Sequence, residues 1–196
     1  MTFYFFTFYF TSMLKVEKLI EGLCSFKDDE FTCDNVYSFL GDNPVDVTSI
    51  DKYFFWNPEF YTRNLIYKDG RFEMMAVCWE SGQVSRVHNH ADQKCWMTVP
   101  IGRLCGQNFA VTEIDESNGI CKLRETDSFE LSDCLAAKVE LEEPIHQILN
   151  LAEYGERAVS LHIYSKPFDR CLSYCRDTDT FKEVELCYTS INGKLL

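Results

Sequence analysis

The chain has 196 residues, 46% of them hydrophobic and 26% charged, a size and balance that build one packed core of ordinary globular type. Its formal net charge of −12 with scattered acidic residues offers phosphates no basic face, which argues against a nucleic-acid partner. Mean hydropathy of −0.20 argues against an integral membrane protein, and ten cysteines without a C-x-x-C pair argue against a zinc ribbon or a thioredoxin-type motif. The cysteines read instead as small buried or half-buried hydrophobes in a reducing cytosol. The small acidic clusters, Asp28-Asp29-Glu30 and Glu140, Glu142 and Glu143, read as solvated surface.

Taken in order, the chain begins with an aromatic, uncharged run, TFYFFTFYFT, that is far short of the roughly 20 apolar residues a bilayer requires. It also lacks the basic start and small-residue cleavage site of a secretory signal. Residues 1–12 are therefore set aside as an extension upstream of the functional start. Leu14, Val16, Leu19, Ile20 and Leu23 fall at helical spacing and predict an amphipathic helix over about residues 13–25. A second short helix follows, with Thr32 or Asp34 as cap, Val36, Tyr37, Phe39 and Leu40 as apolar face, and Gly41 at its C-terminal end. Up to Pro58 a further helical turn carries Tyr53, Phe54, Phe55 and Trp56.

From Phe60 the texture changes to short β-branched and aromatic runs divided by turn signals at Lys68-Asp69-Gly70, Glu80-Ser81-Gly82 and Asp115 to Gly119. Ten strands are predicted: 61–67, 72–79, 86–90, 95–101, 104–112, 120–124, 133–139, 145–150, 157–164 and 181–188. Strands following two helices, with no internal repeat or linker, point to a single domain over 13–196, a closed barrel or double-sheet sandwich under a helical cap of about residues 13–58.

Chemistry concentrates between Gly82 and Gly102. On a strand, His88 and His90 leave the same face and can converge on one metal ion, although His-x-His also occurs by chance on polar strands. The two remaining histidines, His146 and His162, lie in strand-like segments near the C-terminal end. Gly82, His88, His90, Cys95 and Gly102 read G-x5-H-x-H-x4-C-x6-G, which resembles the first cupin motif with cysteine in place of its usual glutamate. His146 to Asn150 reads H-x3-N and resembles the end of the second. That cysteine substitution looks like animal-type cysteine dioxygenase, and Tyr61-Thr-Arg63-Asn-Leu, Ser160-Leu-His162-Ile-Tyr164 and Pro167-Phe-Asp-Arg-Cys171 agree in order, from about Lys15 to Leu186.

The resemblance implies a cupin-type β-barrel (double-stranded β-helix or jelly roll) with N-terminal helices. It also implies a cytoplasmic, monomeric thiol dioxygenase of cysteine catabolism and taurine biosynthesis that takes L-cysteine and O2 to L-cysteine sulfinic acid. Three neutral imidazoles, His88, His90 and His146, suit a borderline divalent metal and leave room for a small aminothiol and O2 on one centre. From spacing alone zinc and iron stand equal; the resemblance implies one mononuclear Fe(II) per chain. Arg63, among apolar neighbours, has the fork geometry to grip a carboxylate, with a surface arginine as the alternative. In the family it resembles the carboxylate clamp, and Tyr61 a wall of the same pocket.

Ser160, His162 and Tyr164 alternate with Leu161 and Ile163, so one face can carry a hydrogen-bonded chain, or else the polar outside of an edge strand. The resemblance makes them a relay. It also implies a self-formed thioether between Cys95 and Tyr164, and places Cys171 near the pocket, where ordinary packing explains it as well. Asn89 and Trp96 depart from the common pattern, and residue 89 is expected to face away from the metal. The rivals are dioxygenation of another carboxylate-bearing thiol such as 3-mercaptopropionate, and a non-catalytic metal-binding cupin.

Overall fold

A computed structural model describes residues 13–139 and 145–196. The extension at 1–12 and the acidic cluster of Glu140, Glu142 and Glu143 lie outside the described residues.

Helix α1 (Val16–Ser25) buries Val16, Leu19 and Leu23, a stripe spaced three and four residues apart. Helix α2 (Cys33–Asp42) buries Val36 and Leu40 and is capped by Thr32, whose hydroxyl accepts from Asn35 N at 3.3 Å. Gly41 lies inside this helix, not beyond its end. Asn43 closes it instead, donating from its side-chain amide to the Phe39 carbonyl at 2.8 Å. The helical turn expected before Pro58 takes the form of two 3-10 turns, Val47–Ser49 and Asp51–Tyr53.

Thirteen strands follow among the described residues: β1 (Thr62–Lys68), β2 (Phe72–Trp79), β3 (Val87–His88), β4 (Cys95–Ile101), β5 (Arg103–Asp115), β6 (Ile120–Ser132), β7 (Ala136–Val139), β8 (Ile145–Leu149), β9 (Ala158–Ser165), β10 (Arg170–Cys175), β11 (Thr180–Glu185), β12 (Ser190–Ile191) and β13 (Lys194–Leu195). One sheet runs β13-β12-β1-β2-β9-β4-β7. The other strands close on themselves in the order β10-β11-β6-β5-β8-β3, with β3 pairing back to β10. Two helices on a sheet that faces a strand ring make the cupin-type barrel with N-terminal helices that the resemblance implies.

The sequence reading places no strand at Arg170–Cys175, yet β10 is what closes the ring. It ends β6 at Arg124, whereas that strand continues to Ser132 as the far arm of a long hairpin with β5, interrupted by two register shifts. It starts β7 at Asp133, but Asp133 and Cys134 take φ of 53° and 58° and form a turn.

The inner strands explain how one sheet serves two purposes. On β2, Phe72, Met74, Ala76 and Cys78 join Val159, Leu161 and Ile163 of β9 in a core shared with both helices. The alternate residues Met75, Val77 and Trp79 face the strand ring with Tyr164 and Cys95. Ser160 and His162 therefore lie on a central strand, between β2 and β4, which rules out the edge-strand reading. Trp96 points to the helical side, donating from Nε1 to the Cys33 carbonyl at 2.9 Å and meeting Phe31 edge-on.

Candidate metal and substrate site

His88 lies on the two-residue strand β3, with His146 of β8 directly opposite. His90 follows beyond the strand's end, and Ala91 and Asp92, with φ of 49° and 61°, then turn the chain toward β4. The predicted strand over 86–90 is thus shorter than expected, but the imidazoles still converge. One ligand atom from each of His88, His90 and His146 lies within 4.8 Å of the others. Asn89 faces away, as the alternation requires. Its Oδ1 accepts from Leu172 N of β10 at 2.9 Å, fastening the His-x-His segment to the ring.

The glycines and asparagine of the two motifs hold this register. Gly102 has φ of 67°, and a Cβ there would stand 2.5 Å from the Arg157 carbonyl oxygen. Asn150, fully buried, donates to the carbonyls of Trp79 and Glu156, and its backbone exchanges hydrogen bonds with Gly82 and Gln83. The start of the first motif is thereby stitched to the end of the second.

The three imidazoles suit a metal. His88 Nδ1 stands 2.8 Å from the Arg86 carbonyl, which commits that nitrogen and leaves Nε2 as ligand. Both ring nitrogens of His90 are buried without a hydrogen-bond partner, a costly arrangement in a protein interior unless something else binds there. Burial lowers the pKa of all three, with the Arg63 cation adding to it at His88, and well below the ordinary value for His90 and His146, where repulsion by neighbouring imidazoles adds to it. Neutral imidazole is the form a metal takes as ligand.

A cavity of about 70 Å³ opens onto these rings. At roughly 10 to 15 Å³ for each water this is room for about five to seven, the size of a small amino acid rather than a peptide or nucleotide. Its wall includes Tyr61, Arg63, His162, Tyr164 and Cys171, so every expected site residue except Ser160 and Cys95 borders it, and among the described residues no Asp or Glu lines it. Arg63 presents a buried Nη1 that has no hydrogen-bond partner. Tyr61, just before β1, stacks on Trp79 with ring centroids 4.5 Å apart. Cys171 is buried on β10, and burial raises its thiol pKa.

Behind the wall, polar groups connect in series. Trp79 Nε1 donates to Ser160 Oγ at 2.9 Å, Ser160 Oγ lies 2.8 Å from His162 Nε2, and His162 Nδ1 lies 3.1 Å from the Tyr164 hydroxyl. The indole can only donate, so Ser160 accepts there, and the acceptor in reach of its own proton is Nε2, which makes Nε2 the unprotonated nitrogen of the ring. Burial, then the nearby Arg63 cation, lowers the His162 pKa to about 3, so the ring is neutral and carries its one proton on Nδ1. That proton goes to the Tyr164 oxygen, which leaves the phenol O–H free to donate toward the cavity. Cys95 on β4 is the direct cross-strand partner of Tyr164 on β9. Burial raises the pKa of both groups.

Trp79, Phe168, Ser85 and Arg86 line the cavity without having been singled out in the sequence. Trp79 was the readable one. It stands in period with Met75 and Val77 on a buried strand, where an indole N–H needs an acceptor. Phe168 meets Tyr164 edge-on at 5.1 Å and packs near His90, contacts that only the fold creates.

The family model for cysteine dioxygenase type I matches residues 11–177. The chain belongs to this family. Membership and the three-histidine centre make it a thiol dioxygenase with a metal-binding site. It is 29% identical over 174 residues to cysteine dioxygenase type 1 of Homo sapiens, covering 86% of this chain and 82% of that protein. It is 28% identical over 184 residues to that of Danio rerio, covering 91% and 88%. Among solved structures, a Klebsiella pneumoniae protein with a double-stranded β-helix domain shares 15% identity at a TM-score of 0.45, covering 70% of this chain and 96% of that one.

Proposed function

We propose that this chain oxidises L-cysteine with O2 to L-cysteine sulfinic acid, RSH + O2 → RSO2H, using one Fe(II) per chain held by His88, His90 and His146. The substrate supplies all the electrons and both oxygen atoms enter the sulfur, so no external donor is needed. The observation that carries the reading is Arg63 Nη1, buried, unpartnered and in the same small cavity as three neutral imidazoles. A cation aimed into a pocket that no acidic side chain lines among the described residues calls for an anion, and a carboxylate fits the guanidinium fork.

Bound ferrous iron would supply activation of O2 beside the thiolate. The protein's own residues do the rest. Arg63 anchors the carboxylate, and Tyr61 and Trp79 close that side with stacked rings. The Trp79–Ser160–His162 chain fixes the Tyr164 hydroxyl as a donor toward the reacting end of the substrate, and Phe168 packs against its ring and limits water. Cys171 forms part of the wall.

Cross-strand placement supports a thioether from Cys95 Sγ to a Tyr164 ring carbon. Forming it removes one hydrogen from the thiol and one from the ring, with O2 taking up the two electrons. The reading further implies a monomer acting in a reducing cytosol, where the ten cysteines stay reduced.

The test is anaerobic reconstitution with Fe(II), then O2 uptake and product analysis with L-cysteine, 3-mercaptopropionate and cysteamine. Sulfinate from L-cysteine with one O2 consumed is expected. Preference for 3-mercaptopropionate overturns the substrate, and no uptake with any small thiol overturns the activity. Intact mass after turnover is expected to show a species lighter by two hydrogens that is absent in Cys95→Ala.

A further inference from the structure

One buried ionisable side chain plays no part in the chemistry above. Glu73 on β2 is 0% exposed, and its Oε1 has no hydrogen-bond partner. A carboxylate stays in such a place only where something binds it. The other oxygen, Oε2, accepts a short hydrogen bond from the Tyr188 hydroxyl and lies 3.4 Å from Lys68 Nζ. Lys68 also donates to the Tyr188 oxygen at 3.0 Å. A register shift in β1 between Leu65 and Tyr67 brings Lys68 opposite Glu73, on the same face as Arg63.

Tyr188 is therefore held at its hydroxyl by two charged groups, and its ring points back along β1. The Arg63 guanidinium carbon stands 5.8 Å from that ring's centroid, within cation–π reach. The adjoining residue fixes the Arg63 backbone from both sides. Arg63 N donates to Thr189 Oγ1 at 3.2 Å and Thr189 N donates to the Arg63 carbonyl at 2.7 Å. Arg63 and Tyr188 also line a shared groove beside the cavity.

We infer that Tyr188, anchored by Glu73 and Lys68, is a positioning residue that orients Arg63 for a carboxylate-bearing substrate. This rests on the reading of Arg63 as the carboxylate anchor. The buried Glu73 acts at a distance, through Tyr188, and touches neither substrate nor metal. The guanidinium is pre-organised by a ring on one side and by backbone bonds from the next residue, so less freedom is lost when the anion binds.

The experiment compares KM and kcat for L-cysteine in the Fe(II)-loaded full chain for wild type, Tyr188→Leu, Tyr188→Phe and Glu73→Gln. Tyr188→Leu loses both ring and anchor, and a roughly tenfold rise in KM with kcat within about twofold is expected. Tyr188→Phe keeps the ring and loses the anchor, with a KM rise of about threefold. Glu73→Gln keeps an acceptor for the phenol but loses the charge that holds Lys68 beside it, and a KM rise no larger than that of Tyr188→Phe is expected. Where Tyr188→Leu fails to fold, Tyr188→Phe decides. An unchanged KM in the folded variants, or a fall in kcat alone, overturns the inference while leaving the activity intact. A wild-type holoenzyme that turns over no small thiol overturns the reading beneath it, and the inference with it.

Discussion

Strands β2 and β9 are buried on both faces, and the two faces are made of different chemistry. Toward the helices lie Phe72, Met74, Ala76, Cys78, Val159, Leu161 and Ile163, with no polar side chain except a thiol. Toward the strand ring lie Glu73, Ser160, His162 and Tyr164 among Met75, Val77 and Trp79. Arg63 Nη1, Glu73 Oε1 and both His90 ring nitrogens, buried polar atoms without partners, belong to this second side. The first face contributes stability and the second gives some of it up to hold reactive groups in position.

The sharpest way to break the contrast is His146→Ala. It should remove stoichiometric metal binding and O2 consumption together while the apo protein stays folded, checked by metal analysis, oxygen electrode and circular dichroism. A variant that still binds one metal and turns over contradicts the three-histidine assignment. On the opposite face, Leu161→Ala leaves a cavity in the helical core and should cost about 2 to 5 kcal/mol in urea unfolding. Activity per folded molecule should hardly change, and a large loss of kcat there would erase the division of labour between faces.

Arg63→Ala comes next. Losing two charged hydrogen bonds of about 1.5 to 3 kcal/mol each, about 3 to 6 kcal/mol together, should raise KM for L-cysteine by about a hundredfold or more. Because Nη1 is buried with no hydrogen-bond partner within the protein, the melting temperature should stay level or rise. A fall in stability matching the loss of affinity would mean that the arginine braces the fold.

The mildest effect is one of pH on the apo protein. The His162 pKa is lowered from 6.5 to about 3 by burial, then by Arg63 and His88. Between those values the unfolded state binds the proton and the folded state does not. Stability is therefore fully present above about pH 6.5 and lost on acidification, by at most about 1.4 kcal/mol per pH unit from this group. Urea midpoints at pH 7 and pH 5 should draw together in His162→Gln, and an unaltered slope would place the acid sensitivity elsewhere.

Much of the site was legible because its residues come in pairs at strand spacing. His88 with His90, and Ser160 with His162 and Tyr164, declare a shared face before any fold is known. Arg63 was readable only through the resemblance, since an arginine near Leu65 and Ile66 is as well explained by the surface. Glu73 and Tyr188 were invisible, because what joins them is a register shift in β1 and a side-chain hydrogen bond between residues 115 apart in the chain. Strand β10 escaped for a related reason. Its short run of Cys171, Leu172, Ser173 and Tyr174 gains its identity from pairing with β3 and β11 rather than from its own composition.

The closing of the β10-β11-β6-β5-β8-β3 ring also bears on how much unpaired backbone the sheets expose. A ring leaves no terminal strand, whereas an open sheet exposes two rows of unpaired backbone groups that can recruit another chain. Here the open sheet ends at β13, only two residues long, and at β7, where α2 sits alongside and Lys138 pairs with Asp34 at 2.6 Å. Among the described residues neither border offers a long, flat template, so the architecture that gathers three histidines into one cavity also leaves little open sheet edge for another strand to join.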